Sequence, residues 1–315
     1  MEINYLILVH KNPFQVKRLV QKLQGPGINF FIHIDASAEG RTFKSLLQNF
    51  ENVFFICKTD RKKIIWGDIS MVEASLNLMH KVVLEKKTGY CILLSGQDYP
   101  LKSKDYIKDF FQKKTGMHFI SFFEMPHPNW DQGGIPRIKK YKINKSSQRE
   151  HFLMLPSIFD KDFYSEETLG KLNFLRKTGR WKDMVQALKR REFPTCLEPY
   201  GGGQWWAFPI ETIHKILEFN ENHPNYINYH KYTLIPDEIF FQSILMYLED
   251  YKTKNIAKSI TYVNWNRGTG PLPVTFTCED IEELEIASKN HLFARKFDIE
   301  KDEDILDQID KQLLI

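Results

Sequence analysis

The chain has 315 residues, with 44 lysines and arginines against 40 aspartates and glutamates, and a formal net charge of +4 at pH 7. A chain of this length can bury a substantial core without disulfides, and so small a net charge argues against a nucleic-acid binder. The four cysteines show no metal-ligand spacing and predict free thiols in a reducing compartment. The N-terminus runs directly into a strand-like segment, and no apolar stretch is long enough to cross a membrane, so we expect a cytoplasmic protein.

The first part of the chain alternates strand-like and helical patterns. Strand-like runs occupy residues 5–10, 29–34, 53–56, 90–94 and 118–121. One helix is predicted by apolar residues at helical spacing, namely Ile69, Val72, Leu76, Met79 and Val83. This alternation predicts an α/β protein with a Rossmann-like, mostly parallel sheet flanked by helices. Neither a GxGxxG nor a GxxxxGK[ST] motif follows the first strand, which disfavours dinucleotide dehydrogenases and P-loop NTPases.

The pattern changes in the second part of the chain. Residues 122–195 are aromatic, basic and rich in glycine and proline, which predicts long loops that shape a substrate site. A strand at 205–208 and helices at 210–219 and 239–248 follow. Because no repeat or linker interrupts the chain, we predict one catalytic domain over 1–315, with a nucleotide-binding half (1–121) and an acceptor-binding half (122–315).

Polar and aromatic residues follow the predicted strands where a nucleotide would bind. His10 comes directly after Val9 at the end of the first strand, and Asp35 follows the second. Parallel strands end at the same edge of a sheet, where ligands of open α/β sheets bind, and an aspartate there can accept from uracil or ribose. Trp66 can form a wall for a base. Strand-end caps and a core aromatic are the alternatives.

Two acids, in the order Pro236-Asp237-Glu238, are predicted to open the last apolar helix. Proline and acids are typical of a helix N-terminus, so capping explains one of them. If Asp237 serves the backbone, Glu238 can face the cleft as a general base.

Tryptophans and cations mark two further segments. Trp205 follows three glycines, which indicate either close approach to a ligand or a flexible turn, and its ring can stack on a sugar. Trp265 is either a sugar platform or a strand-end aromatic. Arg295 and Lys296 lie between aromatic residues in an apolar stretch, which predicts an anion site. The alternative is two solvated cations whose stems cover the core.

Taken in order, these motifs resemble those of the core-2/I-branching β-1,6-N-acetylglucosaminyltransferases and peptide O-xylosyltransferases, glycosyltransferase family 14. The resemblance spans nearly the whole chain, from Val9-His10 to residues 291–298, and suggests a bacterial-type member. It implies a GT-A-like fold, an inverting reaction and no required metal. It places Val9, His10, Asp35 and Trp66 around the nucleotide, Glu238 as the catalytic base and Lys296 at the diphosphate.

The resemblance also implies residues for the acceptor side. Glu124, Arg137, Lys140 and Trp265 are similar to the family's acceptor-contacting acid, cations and tryptophan. The family has a second phosphate-contacting arginine, but residues 271–274 here read Pro-Leu-Pro-Val, which leaves Arg295 or Arg267 as the substitute.

The expected function is metal-independent transfer of a sugar from a UDP-sugar, a substrate and not a cofactor, to a hydroxyl of a glycan or glycoconjugate. N-acetylglucosamine is the expected sugar, with xylose as the alternative. A lipid-linked acceptor would bring the protein to the inner face of the cell membrane. The rival is a non-catalytic glycan- or nucleotide-binding relative, which would have no reason to keep both Glu238 and Lys296.

Overall fold

The computed structural model describes residues 1–268 and 270–314. Its strands are β1 (Ile3–Val9), β2 (Ile28–Ile34), β3 (Val53–Phe55), β4 (Tyr90–Ser95), β5 (Asp98–Pro100), β6 (His118–Glu124), β7 (Tyr141–Asn144), β8 (Phe152–Leu155), β9 (Tyr200–Pro209), β10 (Ile256–Ala257), β11 (Thr261–Val263) and β12 (Phe293–Arg295). Its α-helices are α1 (Pro13–Leu23), α2 (Gly40–Leu47), α3 (Ser70–Leu84), α4 (Lys104–Lys113), α5 (Ile135–Lys139), α6 (Glu166–Lys177), α7 (Trp181–Ala187), α8 (Ile210–Asn222), α9 (Pro224–His230), α10 (Phe240–Leu248), α11 (Ile281–Ser288) and α12 (Asp304–Gln312).

The main sheet has the strand order β10-β6-β9-β4-β1-β2-β3. Strand β1 is parallel to β2 and β4, and β3 and β10 also pair in parallel with their neighbours, whereas β9 is antiparallel to both β4 and β6. The predicted α/β fold with a mostly parallel sheet flanked by helices is therefore confirmed. A smaller sheet of β11, β12 and β5 pairs Arg295 with Asp98.

Helices on both faces explain why the central strands are buried along their whole length. All seven residues of β1 are buried, as are all seven of β2. Helix α1 buries Val16, Leu19 and Val20 on one face, and α3 buries Val72 and Met79 on the other. Burial of each such side chain contributes about 1.5–3 kcal/mol, so the two layers hold the strand ends in place.

The segment predicted as loops contains a compact unit of its own. Strands β7 and β8 form an antiparallel hairpin, and α6 and α7 pack against it. Its small core consists of Tyr141, Ile143, Leu153, Leu155, Phe163, Leu175 and Ala187. We call residues 141–188 the hairpin unit. The prediction of long loops is wrong for this unit, because its four-residue strands are too short to produce a clear period.

The acids before α10 lie in a separate turn. Residues Pro236–Glu238 form a 3-10 turn, and Ile239, at φ −132°, interrupts the chain before Phe240 begins the α-helix. The prediction that the acids open the helix is therefore corrected. Asp237 and Glu238 therefore do not belong to the α-helix, and the 3-10 turn determines where their side chains point.

The three consecutive glycines lie inside β9 and not in a turn. A Cβ atom on Gly202 would lie 1.9 Å from the carbonyl oxygen of Ser121, where the pairing of β6 and β9 shifts register. A Cβ on Gly201 would lie 2.6 Å from the ring of Trp130. These two glycines therefore allow β6 and the ring of Trp130 to pack closely against β9. They are explained neither by a flexible turn nor by the close approach of a ligand.

We expect Gly202→Ala to lower the free energy of unfolding by about 1–3 kcal/mol, because the added methyl group must push two strands apart. Gly203→Ala is the matched control. Its Cβ would meet nothing closer than Ser121 Cβ at 3.7 Å, an ordinary contact, so the expected change is within about 0.5 kcal/mol. Urea unfolding of both variants measures the difference, and equal stabilities would contradict the assigned strand contact.

Candidate active site

The carboxyl ends of β1 and β2 form the floor of the site. Val9 pairs with Ile34, and the next residues, His10 and Asp35, are exposed and buried respectively. The side chain of Val9 is only 1% exposed and belongs to the core, while its carbonyl accepts from the Asp35 N–H at 2.8 Å. Val9 can therefore border a ligand only through its backbone, whereas His10 presents its side chain at the edge.

The Asp35 carboxylate organises the loop beside this edge. One oxygen accepts from the backbone N–H and the hydroxyl of Ser37, at 2.7 and 2.5 Å. The other accepts from the N–H of Ile64 at 2.8 Å. The cap-like role weighed for Asp35 is thus present in the structure. Each carboxylate oxygen has two lone pairs, so the second oxygen retains the capacity to accept from a nucleotide.

Glu238 is held by an arginine that sequence reasoning had assigned to the acceptor. Arg137 Nη1 donates to Glu238 Oε2 at 2.7 Å, and the Arg137 guanidinium lies 3.7 Å from the centre of the Trp130 ring. Within residues 1–268 and 270–314, no hydrogen bond reaches Glu238 Oε1. Desolvation raises the pKa of Glu238, and Arg137 acts in the opposite direction. The result is an oriented carboxylate with one oxygen available to a substrate proton.

Asp237 is the buried member of the acidic pair, at 8% exposure. Burial raises its pKa to about 7, and the negative charge of Glu238 acts in the same direction. The cations Arg137 and Lys142 oppose this rise. Since Asp237 faces the interior and Glu238 is partly exposed, the structure favours Glu238 as the acid that meets a substrate.

Arg295 is a largely buried cation, with 15% of its side chain exposed, and has two protein partners. Its guanidinium lies 3.9 Å from the centre of the Trp205 ring, and its Nη1 lies 3.4 Å from Asp98 Oδ1. Asp98 is fully buried and accepts from the N–H and hydroxyl of Ser95 at 2.9 and 2.8 Å. Burial lowers the pKa of Arg295, and Asp98 counteracts it. One face of Trp205, predicted to stack on a sugar, is therefore covered by Arg295.

Lys296 is the next residue along the chain after Arg295 and is also partly exposed. In the part of the chain that the structure describes, no acid forms an ion pair with Lys296. Desolvation lowers its pKa, as do the positive charges of Arg295, Arg149 and Lys11. Lys11 is itself neutralised by Asp298 at 2.5 Å. Lys296 thus lies in a positive region, which stabilises a bound anion.

Arg267, the other candidate for a second phosphate contact, is committed elsewhere. Its guanidinium pairs with Asp280 at 2.5 Å and with Glu283 at 3.4 Å. These bonds raise its pKa and engage its Nη1 and Nη2, and the two acids offset the positive charge that would attract a phosphate. Of the two predicted substitutes, Arg295 is the one adjacent to Lys296.

The hairpin unit adds cations that sequence reasoning missed. The guanidinium of Arg149, at the hairpin tip, lies 5.1 Å from the centre of the Trp66 ring. Lys142 Nζ donates to the carbonyl of Trp66 at 3.3 Å, and Asn144 donates to Asp68 at 2.7 Å. The hairpin therefore covers the tryptophan predicted to form the base wall. The alternation Tyr141-Lys142-Ile143 could have indicated this cation. In a β-strand, Lys142 lies on the face opposite its two apolar neighbours.

The remaining acceptor-side predictions are more dispersed. Glu124 ends β6 opposite Tyr200 and is exposed, and Trp265 is 53% exposed. Lys140 pairs with Asp162 at 3.0 Å and lines a surface cavity of about 450 Å³ together with Lys139, Lys161 and Asp160. Arg137 is thus the acceptor-side candidate that the structure brings into contact with Glu238.

Across residues 1–268 and 270–314, no group of three or more His, Cys, Asp or Glu side chains is placed to hold a metal ion. Within the same ranges, no helix has both the length and the apolar character needed to cross a bilayer.

A mostly parallel sheet with polar and charged side chains at its carboxyl edge defines the class of α/β proteins that bind a ligand at that edge. A held carboxylate and a separate group of cations complete the site. The chain belongs to the Core-2/I-Branching enzyme family, whose sequence model matches residues 3–288. The family resemblance is therefore confirmed.

The most similar curated proteins include xylosyltransferases from animals. Xylosyltransferase 2 of Homo sapiens is 22% identical over 332 aligned positions, which cover 99% of this chain and 34% of the relative. Xylosyltransferase oxt of Drosophila melanogaster is 23% identical, over 95% of this chain and 32% of its own length. The chain thus spans about a third of the curated relatives it matches. The solved apo structure of mouse xyloside xylosyltransferase 1 aligns with 93% of this chain and 97% of its own, at 11% identity and a TM-score of 0.38.

Proposed function

We propose that this chain is an inverting, metal-independent glycosyltransferase that moves a sugar from a UDP-sugar to a hydroxyl of a glycan or glycoconjugate. The observation that carries the proposal is the pairing of Glu238 with Arg137, which leaves one carboxylate oxygen open. Lys296 and its cationic neighbours supply the second half of the chemistry. Family membership supports the same reaction class.

Inversion needs one base on the acceptor side. Glu238 removes the proton from the acceptor hydroxyl as its oxygen forms the new bond to the anomeric carbon, while the bond to UDP breaks on the opposite face. Arg137 serves this step by holding the carboxylate in one orientation and by keeping it ionised. The raised pKa makes Glu238 a stronger base than an ordinary glutamate.

The leaving diphosphate needs positive charge. One cation about 4 Å from a phosphate charge, at an effective dielectric near 20, contributes roughly 4 kcal/mol, which corresponds to about a thousandfold in rate. Lys296 is the candidate for this contact, with Arg295 beside it and Arg149 above Trp66. These cations would do the work that a divalent ion does in metal-dependent transferases, in a GT-A-like arrangement of the sheet.

For the donor sugar we propose N-acetylglucosamine, the sugar moved by the core-2/I-branching enzymes that the chain resembles, with xylose as a second candidate. The names of the animal relatives favour xylose. For the acceptor, a lipid-linked glycan is consistent with a basic hairpin unit beside the site.

Calorimetric titration of UDP in excess EDTA, with ADP as the control nucleotide, tests the donor site. We expect UDP to bind and ADP to bind at least about tenfold more weakly, because the Asp35 and Trp66 edge would select the base while the cations hold the diphosphate. Absence of UDP binding would contradict the donor site. Binding that appears only after manganese is added would contradict metal independence.

A further inference from the structure

The outer surface of the hairpin unit exposes an unusual amount of apolar side chain. Of the fifteen large apolar side chains that are exposed in residues 1–268 and 270–314, seven lie between residues 159 and 188. They are Phe159, Tyr164, Leu169, Phe174, Trp181, Val185 and Leu188. Scattered single exposures need no explanation, but this concentration marks an interaction surface.

Helix α7 shows the arrangement most clearly. Trp181, Val185 and Leu188 are 57%, 54% and 53% exposed and are separated by four and three residues, so they share one face of the helix. Ala187, at 0% exposure, faces the small core of the hairpin unit instead. The helix therefore has an apolar face turned outward in addition to the one it buries.

Cations are concentrated in the second half of this segment. Residues 171–191 contain eight lysines and arginines and a single acid, Asp183, for a formal charge of +7. The whole chain carries only +4, so the remaining residues sum to −3. Lys177, Lys182 and Lys189 are exposed, and no acid within the described residues forms an ion pair with them.

Of the other five cations, Arg191 is buried, and Lys171, Arg180 and Arg190 pair with acids. Residues 159–170 carry four acids and one lysine. The unpaired positive charge therefore lies beside the exposed apolar side chains of α7 and the end of α6.

We propose that the outer face of the hairpin unit formed by α7 and the end of α6 docks on an anionic lipid bilayer. Exposed tryptophan and aliphatic side chains enter the boundary between headgroups and acyl chains, and lysines between them contact the anionic headgroups. The intervening lysines disfavour a protein partner, because lysine is depleted at the buried centre of protein interfaces. The outward aliphatic side chains disfavour a nucleic acid, whose backbone is met by charge alone.

Docking in this orientation has a consequence for the site. The hairpin that carries α6 and α7 also places Arg149 over Trp66. A docked bilayer would therefore lie on the side of the molecule where the hairpin covers Trp66. The docking surface itself does not depend on the proposed transfer reaction, and its test uses neither donor nor acceptor.

The experiment is sedimentation of the full chain with vesicles of phosphatidylcholine and phosphatidylglycerol at 3:1, against vesicles of phosphatidylcholine alone. We expect binding to the anionic vesicles that is at least about tenfold stronger and weakens as salt is raised. Each lysine near the surface is worth about fivefold in partitioning. The triple change Lys177→Glu, Lys182→Glu and Lys189→Glu should therefore lower binding by at least about 100-fold.

A second variant separates insertion from charge. Trp181→Ser with Val185→Ser and Leu188→Ser keeps every cation and should lower binding by at least about tenfold. Matched controls are Leu84→Ser with Ile286→Ser, which are 71% and 66% exposed on other helices, and Lys58→Glu with Lys113→Glu and Lys254→Glu. The serine control should bind vesicles like the parent chain. The glutamate control should lose far less vesicle binding than the triple change at Lys177, Lys182 and Lys189.

Several outcomes would overturn the proposal. These are equal binding to neutral and anionic vesicles, no binding to either, or equal losses in the variants and their controls. A concentration-dependent dimer in sedimentation velocity that the serine variant abolishes would assign the face to a second copy of the chain. Tighter binding to duplex DNA than to anionic vesicles at equal salt would assign it to nucleic acid.

Discussion

Replacing Glu238 with glutamine is expected to lower sugar transfer by about 10²–10⁴-fold, which is the usual contribution of a general base. Glutamine keeps the size of the side chain and can still accept from Arg137, but it cannot take the proton of the acceptor hydroxyl. UDP affinity should stay within about twofold, because Glu238 belongs to the acceptor side of the reaction in this proposal. The two quantities are measured by release of UDP during turnover and by calorimetry.

Glu218→Gln is the matched control, because Glu218 is an exposed glutamate on α8 and the chemical change is identical. It should transfer sugar at the parent rate. Undiminished transfer by Glu238→Gln would remove Glu238 from the role of base. Loss of UDP binding in the same variant would instead indicate a defect in the fold of the site.

The pH profile of transfer provides a further readout of the same residue. A general base works only when deprotonated, so transfer should fall as the pH drops through the pKa of Glu238. Desolvation raises that pKa, which places the acidic limb above the range of an ordinary glutamate. Arg137 lowers the pKa, so Arg137→Ala should move the limb to higher pH. If the acidic limb of the pH profile is unchanged in Arg137→Ala, a group other than Glu238 determines its position.

Replacing Lys296 with alanine is expected to lower turnover by about a thousandfold and to weaken UDP binding measurably. The physical reason is the loss of one charge contact of roughly 4 kcal/mol to the leaving diphosphate, whose charge grows as the bond breaks. Lys296→Arg should recover part of both quantities, because it restores the charge with a different geometry. Steady-state kinetics and calorimetry in EDTA measure the effects.

Lys254→Ala is the control, because it removes an equal charge from an exposed position outside the cation group. Its UDP affinity should match that of the parent chain. An unchanged UDP affinity in Lys296→Ala would contradict the diphosphate role. A loss that alanine and arginine share equally would indicate damage to the packing around Arg295 and Trp205.

Much of the fold was predictable because burial on both faces leaves a strong local pattern. The apolar runs at residues 29–34 and 90–94 fall within β2 and β4, and the helical spacing from Val72 to Val83 falls within α3, with Ile69 directly before it. The hairpin unit was not predicted, because its strands and helices are too short to show a clear periodic spacing of apolar residues. Its pairing depends on contacts between residues far apart in the chain.

The candidate site divides in the same way. The sequence singled out Glu238 and the Arg295-Lys296 pair, because acids after a proline and cations among aromatic residues are locally unusual. The predicted alternative that Arg267 contacts phosphate could be weighed only with the structure, which pairs Arg267 with two acids. The contact between Arg137 and Glu238 joins residues 101 positions apart.

By itself, the sequence determined the α/β class, the mostly parallel sheet and the family, because each rests on residue types in a fixed order along the chain. Only the tertiary structure decided which charges are free and which are neutralised. It turned Arg137 onto Glu238, packed Arg295 against Asp98 and Trp205, and left Lys296 without an ion pair among the described residues. Burial and pairing depend on neighbours from distant segments, and these set the charge and proton affinity of a side chain.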